Sequence, residues 1–168
     1  IDKLRHYKNI FIYSPRDKDL YQEVVSKNYD LDNLDKILEG KYRPGHFNGV
    51  ATIVEKLFDI FSPNNAYFGE KDFQQLSIIK TMVKKLSINV NIISCETIRE
   101  SDGLAMSSRN KHMTTEERLV AGKINKFMIK AKEIYKNKKI DKIPISIIDE
   151  LNNMKNCKLE YFEIDNLS

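Results

Sequence analysis

A strand–helix–strand pattern within about 30 residues constrains the fold more than any other feature of this sequence. Residues 66–69 form a very short apolar run, and residues 88–94 (INVNIIS) are typical of a strand. Between them, apolar residues recur at helical spacing over residues 73–86; the inward positions are Leu76, Ile79, Met82, Val83 and Leu86. Such a βαβ unit has parallel strands and a right-handed crossover. The sequence therefore predicts a parallel α/β organisation for residues 1–100.

Four further elements are expected before this unit. They are a buried strand over Asn9–Tyr13 ended by Ser14-Pro15, a weak edge-like strand over Tyr21–Lys27, a helix over Leu31–Glu39 that stops at Gly40, and, after a turn-rich loop over Arg43–Gly49, a helix over Val50–Phe61.

The character of the chain changes after Thr97, where a polar loop runs to residue 113. Thr114-Thr-Glu-Glu resembles a helix N-cap with an acidic first turn, and it predicts a long Lys-rich helix to about Lys136. A second helix over Pro144–Met154 and a strand over Lys158–Ile164 follow. The sequence therefore predicts two units of unequal size, residues 1–105 and 106–168.

Charge and cysteine content exclude several classes of protein. With 28 Lys and Arg against 24 Asp and Glu, the net charge is +4, which permits an anionic small ligand without arguing for nucleic acid. Two cysteines do not form a disulfide scaffold, and no spacing of His or Cys is typical of a metal site. No apolar run approaches the ~20 residues that span a bilayer, so a cytoplasmic protein is expected. The Lys-rich stretch 123–142 matches no known nucleic-acid-binding motif, which favours a solvated helix face over a nucleic-acid surface.

The first candidate site is Gly69-Glu70-Lys71-Asp72 together with Gln75, where a strand passes into a helix. Open α/β sheets bind ligands at this position, and the free N–H groups at a helix start favour anions. Gly69 permits close approach of the backbone to a phosphate, Lys71 supplies a cation, and Asp72 can accept from a ribose hydroxyl. The alternative is an ordinary solvated turn with capping charges.

The second candidate is the loop Asp102–Asn110, which contains Ser107-Ser108-Arg109 beside Gly103. Two hydroxyls next to a guanidinium form a plausible phosphate clamp, although the loop could instead merely cap the following helix. Because both candidates follow strands of one βαβ unit, we expect them to open toward the same end of the sheet. Converging cations there favour phosphoryl or nucleotidyl transfer. His46 fits a structural role better than a site-lining one.

Three long segments, in this order, resemble the pantothenate synthetase family. They are Arg43-Pro-Gly-His-Phe-Asn-Gly-Val-Ala-Thr52, Tyr67-Phe-Gly-Glu-Lys-Asp-Phe-Gln-Gln-Leu76 and Arg99-Glu-Ser-Asp-Gly-Leu-Ala-Met-Ser-Ser-Arg-Asn110. The resemblance is dense from about residue 43 to residue 113 and looser elsewhere. It implies a homodimeric ligase of coenzyme A biosynthesis that joins D-pantoate to β-alanine with ATP and Mg²⁺, through a pantoyl-adenylate intermediate.

The resemblance also implies a fold and a set of site residues. The fold is the second half of a Rossmann-like nucleotidyltransferase domain followed by a small α+β C-terminal lid. Residues that would bind ATP are Gly69, Glu70, Lys71, Asp72, Ile98 through its backbone, Met106, Ser107, Ser108 and Arg109. Of these, the resemblance makes Lys71, Ser107, Ser108 and Arg109 catalytic, whereas Gln75 and Phe68 would bind pantoate.

One departure from the family concerns its histidine motif, Met-Gly-x-x-His-x-Gly-His, which does not occur in this sequence. We therefore expect the 168 residues to lack the family's N-terminal part and to be inactive alone. Two alternatives stay open from the sequence: another nucleotidyltransferase of the same superfamily, and a non-catalytic basic binding module. The contexts of Gln75 and of Gly69–Asp72 favour pantoate.

Overall fold

The centre of the fold is a pair of parallel strands, β1 (Asn65–Gly69) and β2 (Asn91–Cys95). Asn65 lies opposite Asn91 and Gly69 lies opposite Cys95, so both strands end at the same edge. The computed structural model describes residues 2–16, 27–138 and 145–163. Its helices are α1 (Leu38–Tyr42), α2 (His46–Phe61), α3 (Phe73–Lys85), α4 (Thr115–Lys138) and α5 (Ile145–Asn152).

The βαβ unit is confirmed, since α3 connects β1 to the parallel strand β2. The apolar face of α3 packs against α2 in a core that also takes up residues of both strands. Leu76, Ile79 and Met82 are buried as expected, whereas Leu86 lies just after the helix and is 45% exposed. The periodicity of the sequence therefore identified this core, except at its last position.

A second, smaller core lies in the C-terminal third, where α4 packs against α5. Ala131, Ile147 and Leu151 are buried there. The expected cap of α4 is confirmed: the Thr114 hydroxyl accepts from the Glu117 amide (3.3 Å), and the Glu117 carboxylate accepts from the Thr114 amide (2.8 Å). This reciprocal arrangement satisfies N–H groups that the helix itself leaves unpaired.

The expected helix over 31–39 is wrong. Residues 32–37 form turns in which Asp32 and Asn33 have positive φ, and the short helix α1 then runs through Gly40 rather than stopping there. The buried Gln74 side chain explains the difference, because its amide donates to the carbonyls of Leu34 (2.7 Å) and Ile37 (2.8 Å). Hydrogen bonds from a distant residue replace those of a helix.

Three other expectations differ from the structure. Residues 9–13 are not a strand and are exposed (Phe11 by 94%), because no described strand pairs with them. The loop expected over 43–49 ends early, since Gly45 adopts a left-handed conformation and α2 begins at His46. No strand forms over 158–163, where no described segment pairs with the chain. The edge-like strand over 21–27 and residue 164 lie almost entirely outside the described residues.

Candidate functional site

An open cavity of about 840 Å³ lies where both strands end, and we call it the cleft. Residues from the two candidate segments line it together: Lys71, Asp72 and Gln75 after β1, and Ser107 and Arg109 after β2. The expectation that both segments open toward one end of the sheet is thus confirmed. Lys71 and Arg109 present two cations to the same space, where they can contact an anionic ligand, while the lining as a whole has three cations and three carboxylates.

The segment after β1 is a single 3₁₀ turn over Glu70–Asp72 that leads directly into α3. The Asp72 side chain makes no capping hydrogen bond to α3. Instead its carboxylate lies 3.2 Å from the Lys71 ammonium, and both side chains are substantially exposed. The two charged groups therefore form an ion pair at the cleft, and neither is buried in the core.

The segment after β2 folds on itself before α4 begins. Glu100 N donates to the Leu104 carbonyl (2.8 Å), and Gly103 sits at φ +90, a conformation that favours glycine. Ser107 begins a 3₁₀ turn in which its hydroxyl accepts from the Arg109 amide (3.2 Å). We call residues 103–109 the clamp loop; its folding points Ser107 and Arg109 into the cleft.

The other residues that sequence and resemblance singled out do not line the cleft. They are Phe68, Gly69, Glu70, Ile98, Met106 and Ser108. Phe68 packs edge-on against Phe58 in the core (6.5 Å between ring centroids). Open space surrounds Gly69 at the end of β1. The Ile98 carbonyl accepts from the Met106 amide (2.9 Å), so these two residues are tied to each other beside the clamp loop.

Sequence reasoning missed the wall formed by α1 and the start of α2. Glu39, Arg43 and His46 line the cleft there. Burial and the nearby Arg43 guanidinium lower the pKa of His46, which favours its neutral imidazole form. The signal was present in the Arg-Pro-Gly-His sequence, because a left-handed Gly45 turns the chain and starts α2 at His46.

A residue of the C-terminal segment completes the cleft. The Tyr161 hydroxyl donates to the Glu39 carboxylate (3.0 Å), and its ring stacks on Tyr42 with centroids 4.8 Å apart. Burial, followed by the hydrogen bond to Glu39, raises the pKa of Tyr161 to about 12. No pattern in the sequence links residues 122 positions apart, so this contact had no local signal.

The described residues contain no group of three or more His, Cys, Asp or Glu that could hold a metal ion. Two of the three carboxylates that line the cleft are already engaged, Asp72 with Lys71 and Glu39 with Tyr161, and the third is Glu163. Mg²⁺ usually binds proteins through one or two carboxylates plus substrate phosphates. The donor set therefore fits a magnesium ion delivered on a phosphate ligand, rather than a resident metal. None of the described helices is long and apolar enough to cross a membrane.

Comparison with known proteins gives closely related sequences. Pantothenate synthetase of Flavobacterium psychrophilum is 45% identical over 163 residues, which cover 96% of this chain and 57% of the relative. The chain thus spans little more than half the length of the curated relatives it matches.

Solved structures agree in fold. Pantothenate synthetase of Thermus thermophilus superposes with a TM-score of 0.65 at 38% identity, covering 72% of this chain and 44% of that one. A pantoate–β-alanine ligase from Francisella tularensis, complexed with β-γ ATP and β-alanine, superposes with a TM-score of 0.64 at 39% identity, covering 80% and 49%. These neighbours confirm the expected parallel α/β fold of a Rossmann-like nucleotidyltransferase domain, and they do not favour a basic binding module. Since the model of the pantoate–β-alanine ligase family matches residues 1–168, the chain belongs to that family.

Proposed function

We propose that the protein to which this chain belongs joins D-pantoate to β-alanine at the expense of ATP, forming pantothenate, AMP and pyrophosphate. The observation that carries the proposal is the cleft itself. A lysine and an arginine from separate segments meet there beside Gln75, at the carboxyl ends of two parallel strands. Family membership adds the reaction class to this geometry.

The first step activates the pantoate carboxylate. A carboxylate oxygen attacks the α-phosphorus of ATP, and the bond from that phosphorus to the bridging oxygen of the β-phosphate breaks. Pyrophosphate leaves with the electron pair, and pantoyl adenylate remains. Lys71 and Arg109 neutralise charge that builds up on the phosphates, and the Ser107 and Ser108 hydroxyls donate hydrogen bonds to them.

The second step forms the amide. The amine of β-alanine attacks the activated carbonyl carbon, AMP leaves, and the amine nitrogen loses a proton. Gln75 holds pantoate through its side-chain amide, and Phe68 is assigned an apolar contact to pantoate. This arrangement keeps the carboxylate next to the α-phosphorus, and such positioning supplies much of the rate enhancement in reactions of this kind.

The remaining residues are assigned to the nucleotide. Gly69 and Glu70 approach the phosphates and ribose through the turn after β1, and Asp72 accepts from a ribose hydroxyl. Ile98 and Met106 contact the adenine beside the clamp loop, Ile98 through its backbone. Mg²⁺ enters as part of the MgATP substrate, bound to the phosphates.

Three further properties belong to the proposal. Residues 1–105 form a nucleotide-binding domain and residues 106–168 part of a C-terminal lid, in keeping with the two separate apolar cores. The protein acts as a homodimer. It works in the cytoplasm, where ATP is available.

The test is pyrophosphate release by the full-length gene product supplied with MgATP. We expect release to require pantoate and to continue to multiple turnovers once β-alanine is added. Release that ignores pantoate but responds to another carboxylic acid would instead identify a different nucleotidyltransferase of the same superfamily. Absence of release with any acid, together with nucleic-acid binding that weakens steeply with salt, would favour the basic binding module.

A further inference from the structure

The clamp loop is anchored outside the cleft by a contact to α4. Arg118, in the first turns of α4, places its guanidinium on both carboxylate oxygens of Asp102, with Nη2 to Oδ1 at 3.1 Å and Nη1 close to Oδ2. Two parallel N–H···O bonds fix the relative orientation of the two groups, which a single bond would not do.

Asp102 is bound to the loop as well as to the helix. Its Oδ1 accepts from the amide of Leu104 (3.2 Å), two residues further on, so the carboxylate closes the turn that contains Gly103. Arg118, through its hydrogen bond, is the main cause that lowers the pKa of Asp102 to about 2, and the Leu104 amide lowers it further. Asp102 is therefore the point at which the loop and α4 are joined.

Two glycines allow Asp102 and the clamp loop to lie close to α4. Gly122 is buried one turn beyond Arg118, and a methyl group there would collide with Oδ2 of Asp102. At Gly103, an added Cβ would come within 2.6 Å of the Asn125 side chain. The loop therefore lies so close to α4 that neither position accepts a larger residue without displacing it.

We propose that Asp102 and Arg118, with Gly122, are positioning residues that hold the clamp loop against α4 so that Ser107 and Arg109 face the cleft. The inference rests on the proposed function, because that function supplies the nucleotide to which Ser107 and Arg109 bind. Both partners of the pair are about one-third exposed (32% and 39%), and exposed ion pairs contribute little to stability. The Asp102–Arg118 pair therefore affects the placement of the clamp loop rather than global folding.

The experiment compares Arg118→Gln, Arg118→Lys and Gly122→Ala in the full-length gene product. We expect Arg118→Gln to lower kcat/KM for ATP by about ten- to a hundredfold, since misplacement by about 1 Å can cost that much. Arg118→Lys should recover only part of the loss, because an ammonium lacks the guanidinium fork. KM for pantoate should hardly change, as Gln75 lies on α3. Gly122→Ala should lower kcat/KM for ATP without lowering Tm, since alanine favours the helix.

Lys130→Gln is the matched control. Lys130 also lies on α4 and pairs with Glu150 at 2.7 Å, half-exposed and away from the clamp loop. We expect its loss to leave kcat/KM for ATP unchanged. Equal effects of Arg118→Gln and Lys130→Gln would overturn the proposal. A double variant tests the route: if Arg118 acts through Arg109, then Arg118→Gln should cost little more in an Arg109→Ala background, and full additivity would contradict the inference.

Calorimetric titration with MgATP separates this inference from the proposed function. If the unsubstituted protein binds ATP but releases no pantoate-dependent pyrophosphate, the proposed function fails. Tenfold weaker ATP binding by Arg118→Gln, but not by Lys130→Gln, would then still support the anchoring of the loop. Equal ATP affinity of all three proteins, or no binding by any of them, would overturn the inference.

Discussion

Two exposed cations, Lys71 and Arg109, carry the chemistry proposed for the cleft. Neither contributes to a buried apolar cluster, and Lys71 contacts only Asp72 among the ion pairs of the described residues. The sequence singles out both, because Lys71 lies in the polar turn directly after β1 and Arg109 lies in the polar loop between β2 and α4. Because both side chains are exposed, replacing either one should lower activity without lowering stability.

Lys71→Ala and Arg109→Ala should each slow adenylate formation by about 10²–10³-fold, or about 3–4 kcal/mol, since each removes a cation that stabilises phosphate charge. Single-turnover pyrophosphate release measures the loss, and thermal unfolding should be unchanged. Lys84→Ala, at the exposed far end of α3, is the control. Unfolding of either cleft variant would show that these side chains are structural.

Gln74 and Gln75 are adjacent, yet we expect opposite effects from replacing them. Gln74 is buried: its amide nitrogen donates to two carbonyls, and its oxygen accepts from the Glu39 amide (3.0 Å). Gln74→Leu should therefore lower the free energy of unfolding by about 1–3 kcal/mol for each group left unpaired. Gln75→Leu should leave stability unchanged and raise KM for pantoate. Urea unfolding and pantoate kinetics measure the two effects, and a reversed pattern would contradict the assignment.

Elements that carry their own periodicity could be predicted, and those set by distant contacts could not. The α3 helix and the two strands follow from apolar spacing, and the α4 cap follows from Thr114 and Glu117. The turns before α1 could not be read locally, because Gln74, some 35 to 40 residues away, holds them. For the same reason, only part of the cleft lining could be predicted from the sequence. Its loops bear recognisable charges, whereas the α1 wall depends on tertiary packing.

The contact between α1 and the C-terminal segment should respond to alkaline pH. Folding raises the pKa of Tyr161 from 10 to about 12, so the stability it contributes is present below pH 10. That contribution is lost as the pH rises from about 10 to about 12. Tyr29 also has its pKa raised to about 12, so in an ultraviolet absorbance titration Tyr161→Phe should remove one of the tyrosines that ionise near pH 12. Ionisation of Tyr161 near pH 10 would mean that its hydroxyl is neither buried nor hydrogen-bonded to Glu39.

At the scale of the whole molecule, the described part of the chain has only one pair of sheet strands and many exposed apolar side chains. Ile10, Phe11 and Ile12 are exposed, and among the described residues the outer edges of the two-stranded sheet are unpaired. Unpaired edges and exposed apolar faces promote association.

We therefore expect residues 1–168 expressed alone to form no pantothenate and to aggregate readily. The full-length gene product is the comparison, with pantothenate formation and light scattering as the measurements. Activity of residues 1–168 within about tenfold of the full-length protein, equivalent to roughly 1.4 kcal/mol, would contradict this expectation.

The central claim is that the cleft activates a carboxylate at the α-phosphorus of ATP, and an isotope label tests it most directly. Pantoate labelled with ¹⁸O in its carboxylate is incubated with MgATP, β-alanine and the full-length protein. Because the attacking oxygen stays on phosphorus when the amide forms, AMP should carry one ¹⁸O atom and pyrophosphate none. Label in inorganic phosphate, with ADP as the nucleotide product, would show attack at the γ-phosphorus and would contradict the account.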